Sequence, residues 1–579
     1  PQSPPPVTRL RTLVLAALSP AGLAAQAPAS AATPAAPNAA PLPALRPELP
    51  RTHAPRPTAA AITAGDLMTR LYIFADDSMQ GRETGTPGHE RGLRYIEGEL
   101  KRLGLQPLGE NGTYRQPVPL VTRGWSPEFT ASAGGMALAA WEDIVPIPLR
   151  GQRSRPIDGT TAVYGGTFDE VAKLPDSLLT GRLVVVRSPG GLRLPNVGDD
   201  SPLRGAAGLA VVIGVPVPPN FLGFFKQPSM GLPRPERAGA ASVPTTLILS
   251  AKGVGALFGT RLDSLAVGQV GRTLATTLAQ VETPAPSYNL VAMLPGRDPV
   301  LRHQYVAVGG HSDHVGFNRT PVDHDSLKAA NREAWWKAGA YAGLPPLAPA
   351  LRRELRVNVD SLRKARPARP DSIFNGADDD GSGSMAVLEI AENLARAKQK
   401  PKRSTLFVWH TGEEKGLLGA EWLSERMPVP RDSIVAQVNI DMLGRGDAVD
   451  VKGLGGPTYV GLVGSRRLST MLGDMIDTLN ARRKAPLALD YQLDANGHPE
   501  NIYCRSDHYH YARWGIPVAF FFTGLHGDYH QVTDEPQYID YPHYATLTNF
   551  IRDVVVQVGN GARPVVDKPK LDPNGSCRQ

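Results

Sequence analysis

The sequence contains a run of three aspartates, Asp378-Asp379-Asp380, between glycines and directly before an apolar helical pattern. Carboxylates this close repel one another, so the run favours binding of a cation. Taken alone, such a run is more typical of a solvated turn or a calcium loop. Other segments of the chain also supply histidine and carboxylate side chains, and together they indicate a different chemistry.

Five side chains, four of them in segments that follow predicted strands, form a plausible ligand set for two metal ions. Zinc takes imidazole nitrogen and carboxylate oxygen, and a catalytic zinc keeps one position for water. Two zinc ions about 3.5–4 Å apart can share a bridging carboxylate. The predicted ligands are His311, Asp379, Glu414, Asp441 and His530. Glu413 precedes ligand Glu414, and because adjacent side chains point in different directions, it can face a bound water.

The elements that must position these residues are predicted from apolar periodicity. Runs at 288–294, 305–308, 404–409, 433–440 and 515–522 are typical of buried strands, and helical patterns lie between several of them. This alternation predicts an α/β fold with a mixed, largely parallel sheet flanked by helices. Ligands of such sheets bind beyond the carboxyl ends of the strands, where the histidine and acidic motifs occur.

The rest of the chain is predicted to form further segments around this domain. Helical spacing of Leu93, Ile96, Leu100 and Leu103 marks an N-terminal part of the catalytic domain. Short β-rich runs with Gly/Pro turns, and without a cluster of catalytic residue types, predict a separate inserted domain that is mainly β. The predicted division is 62–113 and 284–558 for the catalytic domain, 114–283 for the inserted domain, 316–373 for an insertion forming a lid or pocket wall, and 559–579 for a flexible tail.

The N-terminus predicts export. Arg9 and Arg11 precede an apolar run at 13–25, and Ala25-Gln26-Ala27 fits a cleavage site, so residues 1–27 are predicted as a signal peptide. A Pro/Ala-rich linker follows at 28–61. The apolar run is too short to span a membrane. We therefore expect a secreted or periplasmic bacterial protein.

Composition excludes some partners. The net charge is +7, but no basic stripe interleaved with aromatic residues is present, which argues against nucleic acid. Two cysteines, Cys504 and Cys577, cannot form a disulfide framework or a cysteine-rich zinc site. Whether they pair, and the oligomeric state, are left open.

The motifs, taken in order, resemble one known family. His-x-Asp, Asp-Asp-Asp-Gly-Ser-Gly, Gly-Glu-Glu-x-Gly-Leu-x-Gly, Asn-x-Asp-Met and Asp-Tyr-His follow one another as in the co-catalytic di-zinc exopeptidases, specifically the secreted bacterial aminopeptidases with an inserted protease-associated (PA) domain. The resemblance covers 62–556. Segments 181–187, 205–212 and 243–246 resemble the PA domain more loosely.

The resemblance implies a zinc-dependent aminopeptidase that acts on peptides with two Zn²⁺ per chain. It pairs His311 with Asp441 and Glu414 with His530, with Asp379 as the bridge. Glu413 would be the general base for the attacking water and Tyr529 a donor to the oxyanion. Asp313 would hold His311 in place. The resemblance also implies a cis peptide bond between Asp379 and Asp380.

Three other functions compete with this interpretation. They are a carboxypeptidase or dipeptidase on the same fold, a receptor-like relative without catalysis, and a one-zinc enzyme that cyclises N-terminal glutamine. The complete ligand set argues against the last two. A carboxypeptidase needs a cation for the substrate α-carboxylate, and Arg445, Arg505 and Arg513 are candidates. Acidic residues around Glu413 instead suit an α-ammonium group, which favours the aminopeptidase.

Several other residues near the motifs carry no specific signal. His314, His508 and His526 are as typical of structural histidines as of a site. The pair Trp335-Trp336 is more typical of packing than of substrate recognition. Cys504 lies near the motifs, but nothing in its surroundings indicates catalysis.

Overall fold

A computed structural model describes residues 48–148, 153–189, 201–233, 242–338, 361, 363–364, 366–445, 456–575 and 577–579, excluding the side chains of 219–220, 318–319 and 334–338. The predicted signal peptide lies outside the described residues. The chain divides into two compact units: one is Pro119–Ala285, and the other combines 48–118 with Pro286–Gln579.

The larger unit is built on a mixed sheet that has nine strands within the described part of the chain. The four central strands run parallel, whereas the strands that flank them pair with them in the antiparallel sense. The order across the sheet is Gln106–Pro107, Ser287–Leu294, Ser404–His410, Tyr305–His311, Ile434–Ile440, Val518–Phe522, Tyr459–Val463 and Ala488–Asp490, with Arg115–Val118 also paired to Ser287–Leu294. The predicted mixed sheet is therefore present, with its parallel strands at the centre.

Helices cover both faces of this sheet. Along the strand Tyr305–His311, Val306 and Val308 join one apolar core and Ala307 joins another, as the alternation of side chains in a strand requires. The helices Ala64–Phe74, Pro87–Arg102, Gly383–Arg396, Thr470–Ala481 and Tyr541–Asn560 contribute to the first core, and Leu418–Glu425 and His508–Ala512 contribute to the second. Two buried faces explain why the central strands read as continuous apolar runs.

The helix Pro87–Arg102 illustrates how local sequence sets an element. The Thr86 hydroxyl accepts a hydrogen bond from the His89 backbone N–H at 3.4 Å, and proline occupies the first turn, where its missing N–H costs nothing. Leu93 and two further apolar residues of the predicted face are buried. The helix ends before Gly104, whose φ of +66° favours glycine. The predicted helix is confirmed.

The unit Pro119–Ala285 has its own sheets and apolar cores. Its larger sheet has the order Met136–Leu138, Ala131–Ala133, Val270–Thr276, Thr160–Gly166, Leu183–Arg187, Gly208–Val212, Thr245–Leu249 and Ile144–Pro146; a smaller one has Ser229–Gly231, Val121–Trp125 and Gln280–Pro284. In the described residues of this unit the short helices are Phe168–Val171, Asp176–Leu179, Pro219–Phe225 and Ala251–Phe258. All candidate metal-binding groups among the described residues lie outside this unit.

Three predicted boundaries differ from the structure. Residues 114–118, predicted in the inserted domain, belong to the larger unit because Arg115–Val118 pairs with its sheet. The described part of the predicted linker, 48–61, is packed on the fold: Thr58 donates a hydrogen bond of 2.6 Å to Glu392. The predicted flexible tail is anchored, because Cys577 forms a disulfide with Cys504.

Part of the predicted insertion forms a compact element of the larger unit. The strands Phe317–Asp323 and Pro370–Ile373 pair in the antiparallel sense, and the helix His324–Ala338 directly follows the first strand. We call these three elements, together with Arg369 directly before the second strand, the strand-helix segment. The side chains of Trp335 and Trp336 lie outside the described residues. Among the described residues no helix is long and apolar enough to cross a membrane.

Candidate two-metal centre

The parallel strands bring the predicted ligands to one edge of the sheet. His311 is the last residue of its strand and lies opposite His410, the last residue of the neighbouring strand, in the parallel register. Asp441 directly follows the strand Ile434–Ile440, which pairs on the other side of Tyr305–His311. Because parallel strands end at the same edge, residues far apart in sequence lie close together there.

The three consecutive aspartates have different surroundings. Asp378 accepts hydrogen bonds from the Ser382 hydroxyl at 2.8 Å and the Gly444 N–H at 2.6 Å. Asp380 accepts from the backbone N–H groups of His311 at 2.9 Å and Met442 at 3.3 Å. The outer two carboxylates thus tie the loops at the strand ends together, and only the middle one faces the other predicted ligands.

The first ligand group contains His311, Asp379 and Asp441, whose donor atoms lie within 4.8 Å of one another. His311 Nε2 is 3.2 Å from Asp379 Oδ1 and 3.8 Å from Asp441 Oδ1. His311 Nδ1 lies 3.0 Å from the backbone carbonyl oxygen of Asp313, which fixes the ring by accepting its N–H. The Ser506 hydroxyl donates to Asp441 Oδ2 at 2.7 Å. These contacts leave His311 Nε2 directed at the two carboxylates.

The second ligand group contains His314, Asp379, Glu414 and His530, also within 4.8 Å of one another. His530 Nε2 is 2.8 Å from Asp379 Oδ2 and 3.0 Å from Glu414 Oε2. His314 Nδ1 is 2.9 Å from Glu414 Oε1. Asp379 therefore directs one oxygen to each group, which is the arrangement that a bridging carboxylate requires.

The donor set fits zinc. Among the described residues, the buried Nε2 atoms of His311 and His530, and Oδ2 of Asp379, make no hydrogen bond of acceptable geometry. Buried polar atoms are normally paired, so three such atoms at one place indicate a missing partner. Imidazole nitrogens and carboxylate oxygens are the ligands that zinc takes in catalytic sites. Further, the peptide bond between Asp379 and Asp380 is cis, as the resemblance implied.

The electrostatics of the site favour a cation. Burial lowers the pKa of His530, but Glu414 and Asp379 outweigh it and raise that pKa to about 10. Against its own burial, the pKa of Asp379 is held well below its usual value by His311 and His530. In the absence of any other cation, protons thus bind tightly to His311 and His530, which face the carboxylates. A metal ion bound in their place would meet the same negative potential.

Glu413 lies beside the metal groups without belonging to either. Its Oε2 atom is 3.9 Å from His311 Nε2. Burial raises the pKa of Glu413 well above its usual value; His311 opposes this, and Glu414 and Asp441 reinforce it. The Asp313 carboxylate accepts the Glu413 backbone N–H at 3.2 Å. Asp313 therefore supports His311 with its carbonyl and Glu413 with its carboxylate.

Tyr529 is adjacent to the second group. Its ring stacks on that of His530, with centroids 3.9 Å apart and an interplanar angle of 23°. Burial raises the pKa of Tyr529 well above its usual value, although Arg505 acts in the opposite direction. The hydroxyl therefore keeps its proton and can donate a hydrogen bond.

The structure assigns local partners to the other residues that the sequence marked. His526 Nε2 lies 3.0 Å from Asp378 Oδ2. His508 is buried and stacks on Phe520 at 4.7 Å, and burial lowers its pKa to about 3, as expected for a neutral structural histidine. Cys504 is in the disulfide. Their surroundings are structural and do not place them in the ligand groups.

The three arginines considered for a substrate carboxylate also have partners. Arg445 Nη2 is 2.9 Å from Asp528, and Arg513 Nη2 is 3.1 Å from Glu425. Arg505 Nη1 donates to the Glu500 carboxylate at 3.0 Å. Arg505 also interacts electrostatically with Tyr529.

Two residues at the site were not assigned to it from the sequence. His314, which the sequence left undecided between a structural and a site role, belongs to the second ligand group. The Asp534 carboxylate accepts hydrogen bonds from the backbone N–H groups of Asp378 and Asp379 at 3.0 and 3.1 Å, and it thereby fixes the backbone of Asp379. Its sequence position, four residues after His530, gave no indication of this contact.

Comparisons with known proteins agree with a peptidase site. Residues 289–555 match peptidase family M28. A probable leucine aminopeptidase of Arthroderma benhamiae is 35% identical over 86 residues, covering 14% of this chain and 24% of that protein. Leupeptin-inactivating enzyme 1 of Streptomyces exfoliatus is 30% identical over 173 residues, covering 29% of this chain and 33% of that protein. The match supports a peptidase domain of family M28 over residues 289–555.

The extent of these similarities is limited. The chain spans about a quarter to a third of the length of these curated relatives. An aminopeptidase structure from Aneurinibacillus sp. strain AM-1 is 16% identical, covers 88% of this chain and 97% of its own, and has a TM-score of 0.46. One curated relative is fungal, so the similarity is not confined to bacterial proteins.

Proposed function

We propose that this chain is an exopeptidase that removes N-terminal residues from peptides with the help of two zinc ions. The observation that carries the proposal is that Asp379 directs one carboxylate oxygen to each of two ligand groups. His311 and Asp441 would hold one ion, and Glu414 and His530 the other. Ions held there would acidify a water molecule and polarise the scissile carbonyl.

The chain's own residues supply the proton transfers. Glu413 takes a proton from the attacking water, since burial and the neighbouring carboxylates raise its pKa and make it a better base. The same carboxyl group then gives the proton to the departing amine. The Tyr529 hydroxyl donates a hydrogen bond to the oxyanion that forms at the scissile carbonyl. The Asp313 carboxylate holds the loop of Glu413 through its backbone N–H.

The choice of the N-terminal end rests on charge. Glu413, Glu414, Asp379 and Asp441 make the pocket acidic, which suits the α-ammonium group of an unblocked peptide. A carboxypeptidase or dipeptidase is the second candidate. It is favoured by the interaction of Arg505 with Tyr529, because a cation there would lie close to the residue that we propose as the donor to the oxyanion.

A matched pair of peptides tests the proposal. The zinc-loaded protein is expected to contain about two zinc ions per chain and to release the first residue of a free peptide. The same peptide with an acetylated N-terminus is expected to stay intact, because it lacks the α-ammonium group. Mass spectrometry of the products and metal analysis are the measurements. Shortening of the acetylated peptide from its C-terminus, with the free N-terminus untouched, would establish the second candidate instead.

We propose that the unit Pro119–Ala285 is a PA-like domain that is not needed for the chemistry. Support comes from the position of its ends: Val118 and Ser287 are paired neighbours in the sheet of the larger unit, so a short turn can join them. A variant with this unit replaced by a two- to four-residue turn is expected to keep its zinc content and its cleavage of an aminoacyl anilide. The range of longer peptides that it accepts is expected to change. Loss of zinc from a variant shown to be folded by circular dichroism would contradict this modular division.

We also propose that the protein is exported. The basic and apolar pattern of residues 1–27 supports this. The disulfide between Cys504 and Cys577 adds a second argument, since disulfides persist mainly in oxidising compartments.

A further inference from the structure

The loop that carries Tyr529 and His530 is held by buried charges. Asp528, directly before Tyr529, is 2% exposed. Its carboxylate pairs with Lys328 and, at 2.9 Å, with Arg445, and it accepts the Thr533 hydroxyl at 2.6 Å. A buried carboxylate is tolerated only with such partners, so the position of Asp528 depends on the cations that meet it.

One of those cations comes from the strand-helix segment. Lys328 lies on the helix His324–Ala338, about 200 residues from Asp528 in sequence. Its Nζ atom also lies 4.2 Å from the ring centroid of Tyr538, which adds a cation–π contact. The Lys328 ammonium group is therefore held by Asp528 at the start of the loop and by Tyr538, which comes later in the chain.

The same segment makes a second contact at the end of this loop. Arg369 pairs with Glu535, and His324 Nε2 lies 3.4 Å from Glu535 Oε2. His324, Asp371 and Glu535 have the residue types of a metal site. However, Arg369 already contacts both carboxylates, at 3.6 Å from Asp371, and supplies the positive charge that a metal would bring. The group is better described as an ion-pair cluster that joins the segment to the loop.

The loop needs such support. His530 has a φ of +54°, a backbone conformation that non-glycine residues rarely adopt and that persists when surrounding contacts enforce it. From Asp528 the contacts continue to the metal groups: its backbone N–H donates to His526 Nδ1 at 3.2 Å, and His526 Nε2 is 3.0 Å from Asp378, which precedes Asp379. A shift of the loop would move His530 relative to Asp379.

We propose that Lys328 is a positioning residue for the metal centre: its ion pair with Asp528 fixes the loop that presents His530 and Tyr529. The inference rests on the proposed two-zinc function, because it takes His530 as a metal ligand. It assigns to part of the 316–373 insertion a role in holding zinc.

The test is the rate at which the zinc-loaded full chain releases metal to a chelator. Lys328→Met removes the charge and keeps most of the apolar stem, and it is expected to speed release from one of two zinc sites about tenfold, as for other residues that orient ligands. Lys328→Arg is expected to restore slow release. Lys252→Met is the matched control, because Lys252 pairs with Asp143 at 2.7 Å in the unit Pro119–Ala285.

Two further measurements separate the possible outcomes. In cobalt-substituted protein, Lys328→Met is expected to change the visible absorption of one site, whereas Lys252→Met is not. Release and absorption identical to the parent protein would overturn the role of Lys328 and leave the two-zinc function intact. A lower melting temperature without faster release would also overturn it, since Lys328 would then only stabilise the fold. A parent protein that binds no zinc would instead refute the proposed function itself.

Discussion

Replacing Glu413 with glutamine is expected to lower kcat by about 10²–10⁴-fold and to leave the zinc content unchanged. The Glu413 carboxylate lies 3.9 Å from His311 Nε2 but belongs to neither ligand group. Glutamine has nearly the same shape, so the fold and the metal groups are expected to persist. Its amide cannot take a proton from water, and that step is lost. Turnover of an aminoacyl anilide and zinc per chain are measured on the same preparation.

The control for this variant is Glu110→Gln, which changes an exposed glutamate of the same unit and is expected to have no effect. A Glu413→Gln protein with full zinc and kcat near that of the parent would refute the assignment of the base. Loss of zinc from this variant would show a different error, namely that Glu413 is itself a ligand.

The placement of the site could be predicted from sequence because it follows from sheet geometry. The strands Tyr305–His311 and Ser404–His410 read as apolar runs that stop at histidine, and in a parallel pair such ends must coincide. Glu414 follows the second of these strands, and His530 follows another parallel strand, Val518–Phe522. These residues lie close together because the central strands are parallel, which the alternation of strands and helices indicated.

The contacts within the loops could not be predicted in the same way. Asp313 was expected to hold His311, and it does so with its backbone carbonyl, whereas its carboxylate binds the Glu413 N–H. His314 faces Glu414. Side-chain direction in an irregular loop follows from its own φ and ψ angles, which hydrophobic periodicity does not report.

Contacts between residues far apart in the sequence are harder still to predict from the sequence. Cys504 and Cys577 are 73 residues apart, and no spacing rule indicates that they meet. The same holds for Lys328 and Asp528, which come from an insertion and a catalytic loop. Each partner alone is compatible with a solvated surface, so only the folded chain distinguishes an ion pair from two exposed charges.

Replacing Asp379 with asparagine is expected to remove most of the metal from both sites at once. Asp379 Oδ1 is 3.2 Å from His311 Nε2, and Oδ2 is 2.8 Å from His530 Nε2. Asparagine keeps one oxygen and replaces the other with an NH₂ group that does not bind zinc, and it removes the negative charge between the two groups. The backbone N–H that donates to Asp534 is retained, so the loop is expected to stay folded.

The comparison that makes this prediction specific is with Asp441→Asn. Asp441 belongs to the first group alone, so its variant is expected to lose about one zinc, whereas Asp379→Asn loses about two. Asp474→Asn, which changes an exposed partner of Arg466, is expected to lose none. Zinc per chain is measured after dialysis against a weak chelator, with circular dichroism to show that each variant is folded. Two zinc ions retained by Asp379→Asn would mean that the two groups do not share this carboxylate, because a true bridge cannot be replaced without weakening both sites.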